Sequence, residues 1–181
     1  MTGSTQVVAT ATVREWARAH VASLDEHGWN SPPAAVAEAA MGVVDAVERA
    51  HGRGRAPLGL GPDTVVIAGT GEVRLTAPAD YATAEDRAAD LADLGALLFY
   101  LVTGIDPDVV GVGTRAPYER VDRLVGQLTA GNPYATGLAP IIVALLHPDP
   151  RMRPRASTVR MLLDGQVPRT GAAPRLCGAL R

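Results

Sequence analysis

The chain of 181 residues contains no lysine, so all 17 of its basic residues are arginine. This bias has a compositional explanation, because alanine, glycine, proline and arginine are abundant together. It also has a chemical consequence, since no site in the chain can use a lysine amine. The single cysteine, Cys177, cannot form an internal disulfide and is expected to be a dispensable thiol.

Long apolar runs and clusters of positive charge are missing as well. No segment approaches the length needed to cross a bilayer and no signal peptide is present, so we expect a cytoplasmic protein. The net charge of −2 without a basic tract argues against DNA or RNA as a partner. The four histidines lie far apart in sequence without carboxylates at metal-binding spacing, so no metal is expected. They are His20, His27, His51 and His147.

The residues that are present favour one mainly α-helical domain. Hydrophobic residues make up 47% of the chain but aromatic residues only 4%, so the core must be built from small aliphatic side chains. We expect a strand stub over residues 1–11, with Gln6–Ala9 as its apolar part. The helical domain is expected over 12–164, and a loosely ordered tail over 165–181.

Start and stop signals predict two helices in the first third of the chain. Thr12-Val13-Arg14-Glu15 has the spacing of a capping box, which predicts a helix reaching about His27. Ser31-Pro32-Pro33 is a second start signal, with the serine as cap. The helix that follows it is expected to end near Gly52 or Gly54.

The middle of the chain predicts a hairpin and then a buried helix. Two β-rich runs, Thr64–Ala68 and Glu72–Thr76, are joined by Gly69-Thr70-Gly71. The most apolar helix is expected to begin at residue 83 or 84 and to end at Gly104. Its leucines lie on more than one face, as in a helix at the centre of a domain.

Three shorter helices are predicted in the last third of the chain. Apolar stripes over Tyr118–Leu128 and Leu138–Leu146 indicate two of them, and the Gly/Pro/Asp-rich stretch before Tyr118 is expected to be a loop. Ser157 is expected to cap a final helix that carries apolar residues as far as Leu163.

Several motifs in this order resemble the C-terminal lobe of a protein kinase of the bacterial serine/threonine type. Asp90-Leu91-Ala92-Asp93-Leu94-Gly95 and later Asp149-Pro150-Arg151-Met152-Arg153-Pro154 resemble the late kinase landmarks. Ala50–Gly54 resembles the end of the helix before the catalytic loop, and Leu60–Ile67 resembles the Leu-Lys-Pro-Glu-Asn-Val-Leu-Leu stretch of that loop. The resemblance covers Val44–Leu163 and implies a helical C-lobe with one hairpin, without the kinase N-lobe.

In that register the catalytic residues of the family are replaced. Pro57-Leu58-Gly59 stands where the family has His-Arg-Asp, and Gly61 replaces the loop lysine. Thr64 occupies the magnesium-binding asparagine position, where a structural role is preferred over weak metal binding. Ala77-Pro78-Ala79 replaces Asp-Phe-Gly, with Asp80 as a nearby carboxylate. Kinase phosphoryl transfer also uses a lysine against the ATP phosphates, so the resemblance implies a pseudokinase fragment that is not an enzyme and needs no ATP, metal or other cofactor.

The resemblance also implies structural roles for four residues. The family aspartate matched by Asp90 accepts backbone amide hydrogen bonds from the catalytic loop. The arginine matched by Arg153 pairs with a buried glutamate, for which Glu85 is the candidate. His51 lies at the end of the helix before the loop. Because only a few residues separate Ala79 from Glu85, the activation segment is largely deleted, which leaves the Glu85–Arg153 pair open.

The function that we favour is a protein-binding module, either a scaffold or a regulatory subunit. A C-lobe without its N-lobe would expose an apolar surface at the hairpin, and such surfaces are commonly contact sites. The partner would be another protein chain or a second copy of this chain. The expected surface residues are Val65, Ile67, Val73 and Leu75.

The alternative is an accessory subunit of a biosynthetic or modifying enzyme complex, or a divergent small-molecule enzyme built on this lobe. This function would need a pocket in which polar side chains converge. The candidates for such a pocket are Asp63, Arg74, Asp80 and Asp90.

Overall fold

The structure, a computed structural model, describes residues 10–18, 33–76, 82–113, 115–130 and 133–165. These ranges are mainly helical, as the sequence predicts, with one small antiparallel sheet. The helices are α1 (13–18 in the described part), α2 (Pro33–Gly52), α3 (Ala84–Thr103), α4 (Pro107–Val110), α5 (Tyr118–Thr129), α6 (Pro133–Leu145) and α7 (Ala156–Asp164), with a 3-10 turn at Pro150–Met152. The strands are β1 (Thr10–Thr12), β2 (Val65–Ala68) and β3 (Val73–Leu75). None of the described helices is both long enough and apolar enough for a membrane crossing.

Two capping boxes begin helices at the positions that the sequence indicates. The backbone amide of Thr12 donates to Glu15 Oε2 (2.8 Å), and the Glu15 amide donates back to Thr12 Oγ1 (3.2 Å). Thr83 and Asp86 repeat this arrangement at the start of α3. Hydrogen bonds from the Thr83 backbone and side chain lower the pKa of Asp86 below its ordinary value. Gly104 ends α3 in the left-handed conformation, with φ 69°.

The sheet has the order β1-β2-β3, and its second half is the predicted hairpin. Val65 lies opposite Leu75 and Ile67 opposite Val73, with Gly71 in the turn at φ 83°. Strand β1 adds to the other edge of β2, and its Thr10 and Ala11 belong to the strand stub that the sequence predicts over residues 1–11. The predicted strand residues Gln6–Ala9 lie outside the described part of the chain.

Helix α3 lies at the centre of the core, as predicted. Its Leu94, Leu97, Leu98 and Phe99 are at most 1% exposed. It packs closely against α6 at Gly95, where an added Cβ atom would lie only 2.8 Å from Leu145 Cβ. The absence of a side chain at Gly95 is what allows this approach. Helix α2 covers the other side of the core, where it packs against α3, α7 and β3.

Two local predictions were wrong, and one helix extends beyond the apolar stripe that predicts it. A short helix, α4, lies within the predicted loop; its N-cap is Asp106, whose carboxylate accepts the Asp108 amide. Helix α6 begins at Pro133, five residues before the apolar stripe. Helix α7 begins at Ala156 with Arg155 at its N-cap and no side-chain cap, so Ser157 lies in the first turn and is not the cap. Three further local predictions concern residues outside the described ranges: the cap at Ser31, the helix beyond residue 18 and the tail from residue 166.

Candidate functional site

The loop between α2 and β2 is the segment that the sequence aligns with a kinase catalytic loop. Gly54, at φ 72°, turns the chain away from α2, and the Arg55 amide donates to the Ala50 carbonyl. Pro57 is buried and Leu58 is 49% exposed. Gly59 adopts φ 79°, a conformation that side-chain-bearing residues rarely adopt. The three residues at the His-Arg-Asp position therefore contribute a buried ring, an aliphatic side chain and a turn.

Thr64 closes this loop on itself. Its hydroxyl donates to the Gly59 carbonyl (2.9 Å) and accepts the Gly61 amide (2.9 Å). The Thr76 hydroxyl donates to the Thr64 carbonyl (2.8 Å), which joins the loop to the end of the hairpin. The Thr64 hydroxyl is therefore occupied by the backbone, which supports the structural role that the sequence favoured over magnesium binding.

Asp93, rather than Asp90, receives the loop amides. Burial raises the pKa of the Asp93 carboxyl above its ordinary value, and the nearby Asp90 raises it further. Hydrogen bonds from the Gly59 and Leu60 amides act in the opposite direction because they favour the ionised carboxylate. The expectation that Asp90 would receive these amides was wrong: Asp93 lies one helical turn further along α3 and reaches the loop instead.

Asp90 pairs with His51 instead. The two residues lie on α3 and α2, and His51 Nε2 is 2.9 Å from Asp90 Oδ2. Asp90 is fully buried, the His51 side chain is 14% exposed, and no described residue hydrogen-bonds to Asp90 Oδ1. Sequence reasoning missed this contact, because 39 residues separate the partners and neither residue alone specifies the other.

Arg153 does not pair with Glu85. Its guanidinium donates to three backbone carbonyls, those of Ala88 (2.6 Å), His147 (2.9 Å) and Pro148 (3.5 Å). Glu85 lies in the exposed first turn of α3. Burial lowers the pKa of Arg153 below its ordinary value. Its hydrogen bonds join the loop after α6 to helix α3. The candidate ion pair is therefore corrected to a set of hydrogen bonds to carbonyls.

Arg14 forms a second connection that the sequence did not reveal. Its Nε lies 2.7 Å from Asp63 Oδ1 and its guanidinium 3.5 Å from Asp106, while the cation sits 5.6 Å from the centre of the Tyr100 ring. The hydrogen bond with Arg14 lowers the pKa of Asp63 below its ordinary value. Asp63, beside Thr64, is thus held by the start of α1.

The expected interaction surface on the hairpin is not exposed. Val65 is 0% exposed and Ile67 and Val73 are each 5% exposed, so all three belong to the core, while Leu75 is partly buried against it. They are buried because the hairpin packs against α2. The contact is close: a Cβ atom added at Gly42 of α2 would lie 2.6 Å from Val73 Cγ2. Val65, Ile67 and Val73 are therefore core residues, Leu75 packs against the core, and the four do not form an exposed docking surface.

The polar residues proposed for a small-molecule pocket are also dispersed. Asp63 pairs with Arg14, Arg74 with the exposed Glu72, and Asp90 with His51, while Asp80 lies outside the described residues. His147 contacts the Asp149 amide and the Tyr118 ring. Within the described ranges, no three histidine, cysteine or acidic side chains are grouped as a metal site requires. His20, His27 and Cys177 lie outside those ranges.

Two larger clefts open on the surface. The first, of about 640 Å³, is lined by the α3 residue Asp93, by Asp108 of α4 and by Arg115 and Arg120 near the start of α5. The second, of about 650 Å³, lies between the end of α2 and the starts of α3 and α7, and its lining includes four arginines. Both have the volume of a typical ligand site.

Comparison with known proteins gives no further assignment. Neither models of known protein families nor curated protein sequences show a match to this chain.

Proposed function

We propose that this chain is a kinase-C-lobe-like module without catalytic activity, which acts in the cytoplasm as a scaffold or regulatory subunit for another protein. The order of its elements supports the resemblance: two helices, a hairpin, a central buried helix and then further short helices. The loop equivalent to the catalytic loop lies between α2 and the hairpin, as the proposal requires.

The observation that carries the proposal is that the one carboxylate and the one hydroxyl of this loop, those of Asp63 and Thr64, both hold the loop in place. The Thr64 hydroxyl is bonded to backbone atoms, and Asp63 is bonded to Arg14. A general base or a magnesium ligand must be able to reach a substrate or an ion. A loop that is rigidly held without such a group fits a structural role better than a catalytic one.

A second function, an accessory subunit of an enzyme complex or a divergent small-molecule enzyme, is favoured by Asp93. A carboxyl whose pKa is raised by burial and that lines a cleft is a common feature of active sites. The loop amides that reach Asp93 give this residue a structural explanation as well. We rank this function second for that reason.

The first test is capture of the tagged full chain from its native cell after brief cross-linking, followed by mass spectrometry. We expect one partner in stoichiometric amount. A Leu94→Asp variant is the control, because a carboxylate at this fully buried position should unfold the chain and reveal proteins that bind only unfolded chains. A wild-type chain that retains nothing beyond this control, and runs as a monomer in gel filtration, would refute the proposal.

The second test is nucleotide binding, measured as the change in melting temperature. A ligand present at 100 times its Kd stabilises a protein by about 2.7 kcal/mol, which a thermal shift detects readily. We expect ATP with magnesium to leave the melting temperature unchanged. Stabilisation by ATP would contradict the module proposed here and would direct attention to the second function.

A further inference from the structure

Four arginines line the second cleft, and they come from three different elements. Arg87 lies in the first turns of α3, Arg151 in the 3-10 turn, and Arg153 and Arg155 just before α7. These four residues and the surfaces between them are called the arginine cleft below. Its volume of about 650 Å³ would accept the side chain of a bound peptide.

Three of these guanidinium groups are free to bind a ligand. Arg87, Arg151 and Arg155 are exposed, and none of them forms an ion pair with a carboxylate in the described part of the chain. Arg153, in contrast, is held by backbone carbonyls and serves as the fixed part of the wall. The cleft thus has three free guanidinium groups and one fixed guanidinium group. Such a set can bind one anion through several hydrogen-bond donors.

The acidic residues around the cleft do not neutralise it. Glu48 is the acid in its lining, and it lies 3.8 Å from Arg160, which is outside the cleft. Glu85 and Asp149 lie along the adjoining edge. The Asp149 carboxylate accepts the Arg151 backbone amide, and its charge acts on Arg153, the arginine that backbone carbonyls hold in place. Four positive groups against one acid in the lining leave an excess of positive charge inside the cleft.

The floor of the cleft is small and apolar. Ala88, Leu91 and Ala156 form it, and the last two are at most 8% exposed. Short side chains leave space for a group of several oxygens, and apolar surroundings strengthen hydrogen bonds between charged groups. The start of α7, which has no side-chain cap, adds the positive end of a helix dipole to the same wall.

We propose that the arginine cleft binds a phosphoryl group on a phosphorylated serine or threonine of the partner protein. The inference rests on the proposed function, because it names the chemistry of the segment that the module recognises. A phosphoryl group carries a charge of about −1.5 to −2 and three acceptor oxygens, and arginine forks bind such oxygens in pairs. Guanidinium groups from several directions therefore favour phosphate over a single carboxylate.

The lining argues for a peptide rather than a nucleic acid or a membrane. Single-stranded nucleic acids are bound through aromatic side chains on which bases stack, but no phenylalanine, tyrosine or tryptophan lines this cleft, and its one imidazole, that of His51, is held by Asp90. Membrane surfaces attract extended basic patches with exposed apolar residues around them. The arginine cleft is instead a recess, in a chain with a net charge of −2.

The test uses the full chain and a fluorescein-labelled peptide with one phosphoserine between glycine and serine residues, followed by fluorescence anisotropy. We expect the peptide to bind, inorganic phosphate to compete with it, and the unphosphorylated peptide to show no binding. Each of Arg87→Gln, Arg151→Gln and Arg155→Gln should weaken binding about tenfold, since each removes one charged pair of donors. These residues are exposed, so circular dichroism should show unchanged folding.

Arg123→Gln is the matched control, because Arg123 is an exposed arginine on α5 that does not line the cleft. It should change the Kd by less than about twofold, as expected for a distant surface charge. Equal weakening by the control, equal binding of a glutamate-substituted peptide, or no binding of the phosphopeptide would overturn the proposal. Binding of RNA or of phosphatidylserine vesicles without phosphopeptide binding would overturn it as well.

The outcome separates this inference from the proposed function. If the capture experiment yields a partner but the phosphopeptide does not bind, the module proposal stands and the arginine cleft is not its phosphate site. If the phosphopeptide binds through the three arginines but no partner is captured, the binding result supports the arginine cleft as a phosphoryl site. The capture result then refutes the scaffold function.

Discussion

A methyl group added at Gly95 should push α3 away from α6. An added Cβ atom would lie 2.8 Å from Leu145 Cβ, 3.1 Å from Leu146 Cγ and 3.4 Å from the Ile142 carbonyl oxygen. The nearest of these atoms is a Cβ, which cannot move without the backbone of α6. Gly95→Ala therefore forces the two helices apart and does not simply shift a flexible side chain.

Gly126 provides the matched control for the magnitude. It lies within α5, and no atom lies within 4 Å of a Cβ added there. Glycine to alanine within a helix is favourable by about 0.8–1.0 kcal/mol from backbone propensity alone, so Gly126→Ala should stabilise the chain by roughly this amount. Gly95→Ala gains the same propensity term but adds an overpacking cost of about 1–3 kcal/mol. The propensity term cancels in the comparison, so Gly95→Ala should be less stable than Gly126→Ala by about 1–3 kcal/mol.

The assay is urea unfolding followed by far-UV circular dichroism, with the free energy of unfolding extrapolated to water. If the free energy of unfolding falls with urea concentration at the same slope in all variants, the variants differ in stability and not in their unfolded states. If both alanine variants stabilise the chain equally, α3 and α6 do not approach as closely as described, and the argument for a tightly packed central helix is refuted.

Three further perturbations test the site. Because burial raises the pKa of Asp93, this carboxyl holds its proton more firmly in the folded chain than in the unfolded chain, so its contribution to the free energy of unfolding should fall as the pH rises above about 4. Asp93→Asn should remove this contribution, so that between about pH 4 and pH 7 the free energy of unfolding of the variant falls less, or rises more, than that of the wild type in urea titrations; the same pH dependence in both would contradict the assignment. His51→Ala should destabilise the chain by about 3–5 kcal/mol, because it leaves Asp90 buried without a partner, and adding Asp90→Asn should recover part of the loss; no recovery would exclude a coupled pair. Arg153→Lys should lower the free energy of unfolding by about 1–3 kcal/mol, because one ammonium group cannot donate to the Ala88 carbonyl and to the carbonyls of the loop after α6 at the same time. A lysine variant with wild-type stability would show that Arg153 does not hold this loop to α3.

The parts of the fold that could be predicted are those with a local physical cause. The Thr12–Glu15 box, the left-handed Gly104 and the Gly69-Thr70-Gly71 turn each act within a few residues, so the pattern in the sequence is also the interaction in the structure. The position of α3 at the centre could be predicted for a similar reason, because leucines on several faces leave no side for water.

The candidate site depended on contacts between residues distant in sequence. The carboxylate on α3 that reaches the loop is that of Asp93, whereas the resemblance implied Asp90, which pairs with His51 on α2. The hairpin residues that looked like an exposed surface became core residues once α2 covered them, and Arg153 found carbonyl partners in place of Glu85.

Composition and local pattern by themselves thus determined the helical class, most helix ends, the hairpin and the absence of lysine from every site. Only the tertiary structure decided the pairs His51–Asp90 and Arg14–Asp63 and the gathering of arginines from three elements into one cleft. The physical reason is range: caps and turns depend on neighbours in the chain, whereas a side chain's partner and burial depend on which surfaces the packed helices bring together.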